Sequence, residues 1–127
     1  MTSGKLLVDT DVLIDFLRKK PQAQKLLEEA SAIYDLYISA VTLSELLTGM
    51  KPSEEAATET LIEGLTLIPV TEKIARRAGA LRRQAHSRKT LLPDCLIAAT
   101  ALEEECLLLT FNKKDFFFTE LEFYPAA

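Results

Sequence analysis

The chain has 127 residues, 48% of them hydrophobic and 27% charged, with a formal net charge of −4 at pH 7. This length and composition suit one folded domain over residues 1–127 and exclude a disordered chain, and the negative balance excludes nucleic-acid binding by bulk electrostatics alone. A lone histidine, His86, excludes multi-histidine zinc centres and makes a Ser/His/Asp triad a poor fit, so any chemistry falls to carboxylates.

Two cysteines, Cys95 and Cys106, lack CxxC spacing and fit a reduced, cytoplasmic protein. The opening Met-Thr-Ser-Gly-Lys leads straight into an apolar strand, so no signal peptide is expected, and no apolar run approaches the ~20 residues of a membrane helix.

Leu6 to Val8 is a short apolar run of the kind a buried parallel strand uses. Val12, Leu13, Phe16 and Leu17 then recur at helical spacing behind an N-cap expected at Thr10 or Asp11. Asp9 therefore falls where a strand gives way to a helix, on the rim where open α/β sheets bind ligands. Asp15, one turn before Lys19, is expected to form a surface ion pair with it.

Pro21 opens a second helix with Ala23, Leu26, Leu27 and Ala30 inward. Leu36 to Ser39 reads as a strand, Val41 to Met50 as a helix containing Glu45, and Ser53 to Gly64 as another helix. Leu65 to Val70 is a third strand. From Thr71, a good N-cap, a helix is expected to reach about His86 with Ile74, Ala78, Leu81 and Ala85 inward.

That helix begins the basic part of the protein: Lys73, Arg76, Arg77, Arg82, Arg83, Arg88 and Lys89, with no acid between Glu72 and Asp94. Two readings stand beside each other, a solvated helix face and a surface that meets phosphates. A helix from Asp94 to about Glu105 follows, with Ile97, Ala98, Ala101 and Leu102 inward. Leu107 to Thr110 is a fourth strand, Asn112 to Asp115 a turn and Leu121 to Tyr124 a short edge strand. Strands alternating with helices predict an α/β fold with a parallel sheet covered on both faces.

Among the 19 acids, Asp9, Glu45, Asp94 and Asp115 stand out because they occur at strand ends or within apolar helical surroundings. Each alone has a structural explanation as a turn residue, an exposed helix position or a cap. As a set they can converge at one edge of a parallel sheet. Carboxylates a few Å apart repel by roughly 4 kcal/mol per pair at an effective dielectric near 20, and no lysine or arginine adjoins Asp9, Glu45 or Asp94 in sequence. A divalent cation is the natural counter-ion, and all-oxygen ligation selects Mg²⁺ or Mn²⁺. Such clusters suit phosphodiester hydrolysis, because the ion acidifies a bound water and neutralises charge that develops on phosphate.

The stretches Leu-Val-Asp-Thr-Asp-Val-Leu-Ile at the start, Val41-Thr-Leu-Ser-Glu-Leu-Leu-Thr-Gly49, Pro93-Asp-Cys-Leu-Ile-Ala-Ala-Thr-Ala101 and Leu108-Leu-Thr-Phe-Asn-Lys-Lys-Asp-Phe116 resemble, in order and spacing, the four motifs of PIN-domain ribonucleases. Within that family the resemblance is to VapC-type toxins of toxin–antitoxin pairs, and it covers essentially the whole chain. It implies a three-layer α/β/α PIN-like domain with a central parallel sheet of four to five strands. It further implies Mg²⁺-dependent (or Mn²⁺-dependent) hydrolysis of RNA, a homodimer and a cognate VapB-type antitoxin that covers the active site.

Carried over by position, the resemblance makes Asp9, Glu45 and Asp94 metal-binding acids. The fourth position lies near Asn112 and Asp115: the family often has Asp or Asn where Asn112 stands, so either of the two can supply it. Asp11 stands where the family commonly has Asn or Ser and is either a further ligand or a helix cap. Thr110 resembles a small polar residue that orients a ligand or water. Arg76, Arg83, Arg88 and Lys113 are compatible with an RNA path.

Two other functions are consistent with parts of the pattern. Asp9-Thr-Asp11 resembles the Asp-x-Asp of haloacid-dehalogenase phosphatases, although Leu13 stands where that family expects Thr or Val. A PIN-like scaffold that binds RNA or protein without cutting is the other. Cys95 beside Asp94 invites a nucleophile reading but lacks a base partner, which favours packing. His86 among arginines reads as a surface residue. Tyr34, Tyr37 and Phe116 to Phe118 offer rings for base stacking, with strand and core packing the plainer assignment.

Overall fold

Leu6, Leu7 and Val8 have no exposed surface, and the reason is the position of their strand. β1 (Lys5–Val8) lies inside a four-stranded, wholly parallel sheet of order β3-β2-β1-β4, with β2 Asp35–Ser39, β3 Thr66–Ile68 and β4 Leu107–Leu109. This computed structural model describes residues 4–85, 90–118 and 120–125. The register pairs Leu6 with Leu36 on one side and Leu107 on the other, so β1 is hydrogen-bonded along both edges.

Alternation along β1 sends its side chains to two different cores. Leu7 joins Ile74, Ala78, Leu81, Ile97, Ala98, Leu108 and Phe116 under α5 (Glu72–Gln84) and α6 (Leu92–Glu103). Leu6 and Val8 join Val12, Leu13, Leu26, Leu27, Ala30 and Leu46 under α1 (Thr10–Leu17), α2 (Pro21–Ser31) and α3 (Ala40–Thr48). The expected three-layer α/β/α arrangement follows. α4 (Glu55–Glu63) starts later than Ser53, because Pro52–Glu54 forms a separate 3₁₀ turn.

Several expected boundaries shift, for physical reasons. Asp9, not Thr10 or Asp11, is the N-cap of α1: its backbone is extended and its side chain accepts from the Thr10 N–H, which leaves Asp11 inside the first turn. α1 stops at Leu17, where Lys19 adopts φ 60° and the Lys19 and Lys20 N–H groups bond the carbonyls of Phe16 and Asp15. This is a Schellman cap with lysine where glycine is usual. Lys19 is thereby outside the helix, and the expected Asp15–Lys19 ion pair does not form. α6 ends the same way at Glu105, φ 55°.

α6 begins two residues early, at Leu92, so Asp94 occupies its first turn and is not its cap. β3 is trimmed to Thr66–Ile68, and the expected edge strand at Leu121 to Tyr124 reduces to one bridge, Leu108 to Phe123, along the free side of β4. Within the described residues no helix is long and apolar enough to cross a membrane.

Candidate active site

All four strands run the same way, so the segments that leave their carboxyl ends meet on one rim. Asp9 is held there at both ends of its carboxylate: Oδ1 accepts from the Thr10 N–H at 2.8 Å and Oδ2 from the Thr110 hydroxyl at 2.7 Å. Its own N–H bonds the Leu109 carbonyl at 2.9 Å, which ties it to the end of β4. Asp9 is only 7% exposed, and burial pushes its pKa up against the pull of those two hydrogen bonds.

The Thr10 hydroxyl lies 2.6 Å from Glu45 Oε1 and 3.1 Å from the Thr42 hydroxyl, so it joins the start of α1 to α3. Ser39, which caps α3 through the Thr42 N–H, completes this hydroxyl chain. The sequence offered Thr10 only as a helix cap and Ser39 only as a strand end, and did not point to Thr42 or to the hydroxyl chain that joins these residues to Glu45. The signal available was the threonine directly after Asp9 and the Ser-x-x-Thr cap ahead of Glu45.

Asp94 is half-buried on α6 with its pKa raised to about 6. Burial is the first cause, followed by the charges of Asp9, Asp115 and Glu45. The other three expected acids, from the end of β1, α3 and the 3₁₀ turn Lys113–Asp115, therefore stand within electrostatic reach of Asp94 on α6. Asn112 differs. Its contact with the group is its backbone N–H, which bonds the Thr110 hydroxyl at 3.0 Å and so helps aim that hydroxyl at Asp9.

Asp11 is drawn into the same cluster. The Phe111 N–H donates to its Oδ2 at 3.2 Å, while Oδ1 is buried without a partner. Burial first, and the charge of Asp9 second, raise its pKa to about 7. None of the ion pairs among the described residues involves Asp9, Asp11, Glu45, Asp94 or Asp115.

Among the described residues no three acidic, histidine or cysteine side chains already close into a metal cage. The donor set nonetheless fits a hard divalent cation. It is all oxygen, it accumulates like charge with no ion-pair partner among the described residues, and it keeps one buried carboxylate oxygen unpaired.

The basic helix is a different matter. Arg76 Nε pairs with Glu72 at 2.7 Å, Lys73 with Glu103 at 3.3 Å, and Arg77 bridges Glu103 and Glu120 at 2.7 Å each. Glu72 on the same helix, and Glu103 and Glu120 from distant segments, thus neutralise three of the basic residues; Arg82 and Arg83 form no ion pair among the described residues, and Arg88 and His86 lie outside those residues. Lys113 sits with its ammonium 5.7 Å from the centre of the Phe123 ring. Cys95 is fully buried and its thiol pKa is pushed up by that burial, as packing requires and a nucleophile does not. Phe116 is core, Tyr34 packs edge-on against Tyr124, and Phe117 is exposed.

The PIN domain's sequence profile matches residues 6–123, and the chain belongs to the PIN-domain family. It is 41% identical over 109 residues to Ribonuclease VapC10 of Mycobacterium tuberculosis, covering 84% of this chain and 82% of that one. A toxin–antitoxin complex from Klebsiella pneumoniae contains a chain of 33% identity and TM-score 0.76, with 92% of this chain and 98% of that chain covered. The fold is also shared with VapBC2 from Rickettsia felis, solved on a promoter DNA fragment, at TM-score 0.82 and 23% identity over 94% of this chain and 97% of that one. The dehalogenase-like reading of Asp9-Thr-Asp11 is set aside by this membership.

Proposed function

We propose that the chain is a divalent-metal-dependent endoribonuclease, the toxin half of a cytoplasmic toxin–antitoxin pair. The observation that carries the reading is that Asp9, Glu45 and Asp115 stand near enough to Asp94 for their charges to raise its pKa, while none of the four forms an ion pair among the described residues. The similarity to a protein named as a ribonuclease at 41% identity supplies RNA as the substrate.

Asp9, Glu45, Asp94 and Asp115 would hold Mg²⁺ or Mn²⁺, with the unpaired Asp11 Oδ1 as a further donor. When bound, the ion supplies an acidified water and neutralises charge developing on the scissile phosphate. The chain's own residues do the positioning. The Thr110 hydroxyl and the Thr10 N–H fix both oxygens of Asp9, and the Thr10 hydroxyl orients Glu45.

An antitoxin partner has a place to dock. Between α2 and α4 runs a groove lined by Phe16, Leu27, Leu36, Ala57, Leu61 and Leu65, apolar enough for an amphipathic segment. Exposed Leu47 on α3, and Leu67 and Val70 at the free β3 edge, would be covered in a homodimer. The test is cleavage of single-stranded RNA with Mg²⁺: wild type cuts, while chelation and Asp94→Asn each stop it. Metal-dependent cutting by clean Asp94→Asn protein contradicts the role of Asp94. RNA binding without cutting by wild type replaces the enzyme with a scaffold.

A further inference from the structure

The rim does not end at the acids. From Thr110, whose hydroxyl is bonded to Asp9, a cleft of about 620 Å³ extends between the helical layer and the segment after β4, lined by Asp15, Gln22, Thr110, Phe111 and Lys113. We propose that this cleft is a nucleotide subsite, seating the base next to the scissile phosphate and selecting guanine through Asp15. The inference rests on the ribonuclease reading and adds to it a base preference and the residue that sets it.

The occupant follows from the lining. Its volume suits a nucleoside, and its groups are those a nucleotide uses: an aromatic ring, a cation, a carboxylate and an amide. Phe111 is anchored in the core under α1 and α2 while part of it faces the cleft, and its N–H is fixed by Asp11. Lys113 is held over Phe123 and forms no ion pair among the described residues, so its charge is available to one phosphate. The alternative RNA path along α5 is weakened by the ion pairs that Lys73, Arg76 and Arg77 make.

Asp15 supplies the discrimination. It is half-buried, and because the Schellman cap carries Lys19 away from the helix, it has no ion-pair partner among the described residues. A carboxylate only accepts hydrogen bonds. Guanine presents two adjacent donors, N1–H and N2–H, which match both oxygens at once. Adenine and cytosine each offer one amino group, and uracil a single N–H between two carbonyls that repel the carboxylate. A good bidentate pair is worth roughly tenfold or more in discrimination. Gln22, which donates and accepts, is neutral to this order.

The experiment is digestion of single-stranded RNA carrying randomised positions around the cut, with sequencing of the products from wild type, Asp15→Asn and Lys113→Ala. Wild type is expected to favour guanine over uracil at one position flanking the cut by about tenfold or more, and Asp15→Asn to lose most of that ratio. Lys113→Ala is expected to slow cutting of all sequences alike and to keep the ratio. An unchanged base profile in Asp15→Asn, or a wild type indifferent to the flanking bases, overturns the subsite. A wild type that cuts no RNA at all overturns the ribonuclease reading itself, and the subsite with it.

Discussion

The acidic rim and the outer face of α5 are both crowded with charge, yet they handle it in opposite ways. On α5 each of Lys73, Arg76 and Arg77 has found an acid, and Arg77 has found two. On the rim, acids stand near enough to raise one another's pKa, and the hydrogen bonds that Asp9, Asp11 and Glu45 accept come from hydroxyl and N–H donors and not from counter-charges. The first arrangement serves the fold. The second costs the fold and leaves charge unspent for a ligand, as expected of a functional site.

The largest expected contrast is between Asp94→Asn and Arg77→Ala. Asp94→Asn is expected to lower RNA cleavage by about a thousandfold or more and yet to raise the stability of the metal-free protein at neutral pH by about 1–2 kcal/mol, allowing for solvent screening of a half-exposed group. Arg77→Ala is expected to leave cleavage within a few-fold and to lower Tm by about 2–5 °C. Cleavage assays and urea or thermal unfolding read both. Loss of stability in Asp94→Asn would remove the idea that the rim is strained by charge.

The pH dependence has opposite signs in the two regions. Asp94 and Asp11 have folded pKa values near 6 and 7, above the ordinary 3.8, so between about pH 4 and 7 the folded state holds protons that the unfolded chain has released. Their effect is that stability falls as pH rises through that window. Glu103 runs the other way. Its hydrogen bond from Arg77 holds its pKa below the ordinary value, and its contribution is present at neutral pH and lost on acidification. Urea unfolding should therefore show the Asp94→Asn advantage growing from pH 4.5 to 7.5 and the Arg77→Ala deficit shrinking from pH 7 to 3.

The smallest expected effect lies on α5 itself. A Cβ at Gly79 would meet nothing within 4 Å, and a glycine inside a helix costs conformational entropy. Gly79→Ala should raise stability by about 0.5–1 kcal/mol with cleavage unchanged. A drop would show that the open side of α5 is occupied in solution.

Much of this was legible from residues. The β/α alternation, the β1 run and the acids at strand ends gave the architecture and the candidate cluster, because burial and periodicity write themselves into sequence. The helix ends of α1 and α6 did not, since Lys19 and Glu105 fill left-handed positions where glycine would have been the signal. The fate of the basic run was hidden for a related reason: Glu103 and Glu120 reach Arg77 only through the fold. The link through the Thr10 and Thr42 hydroxyls was equally hidden, because a hydroxyl that joins two elements has no periodicity to betray it.

The most direct measurement is a Mn²⁺ titration of thermal stability at pH 7.5, on wild type and Asp94→Asn. If the rim is a metal-binding acid cluster, Mn²⁺ raises the Tm of the wild type in a saturable way, reversed by chelation, and the Asp94→Asn protein starts higher and responds little. Equal responses of the two proteins, or none from the wild type, would contradict it.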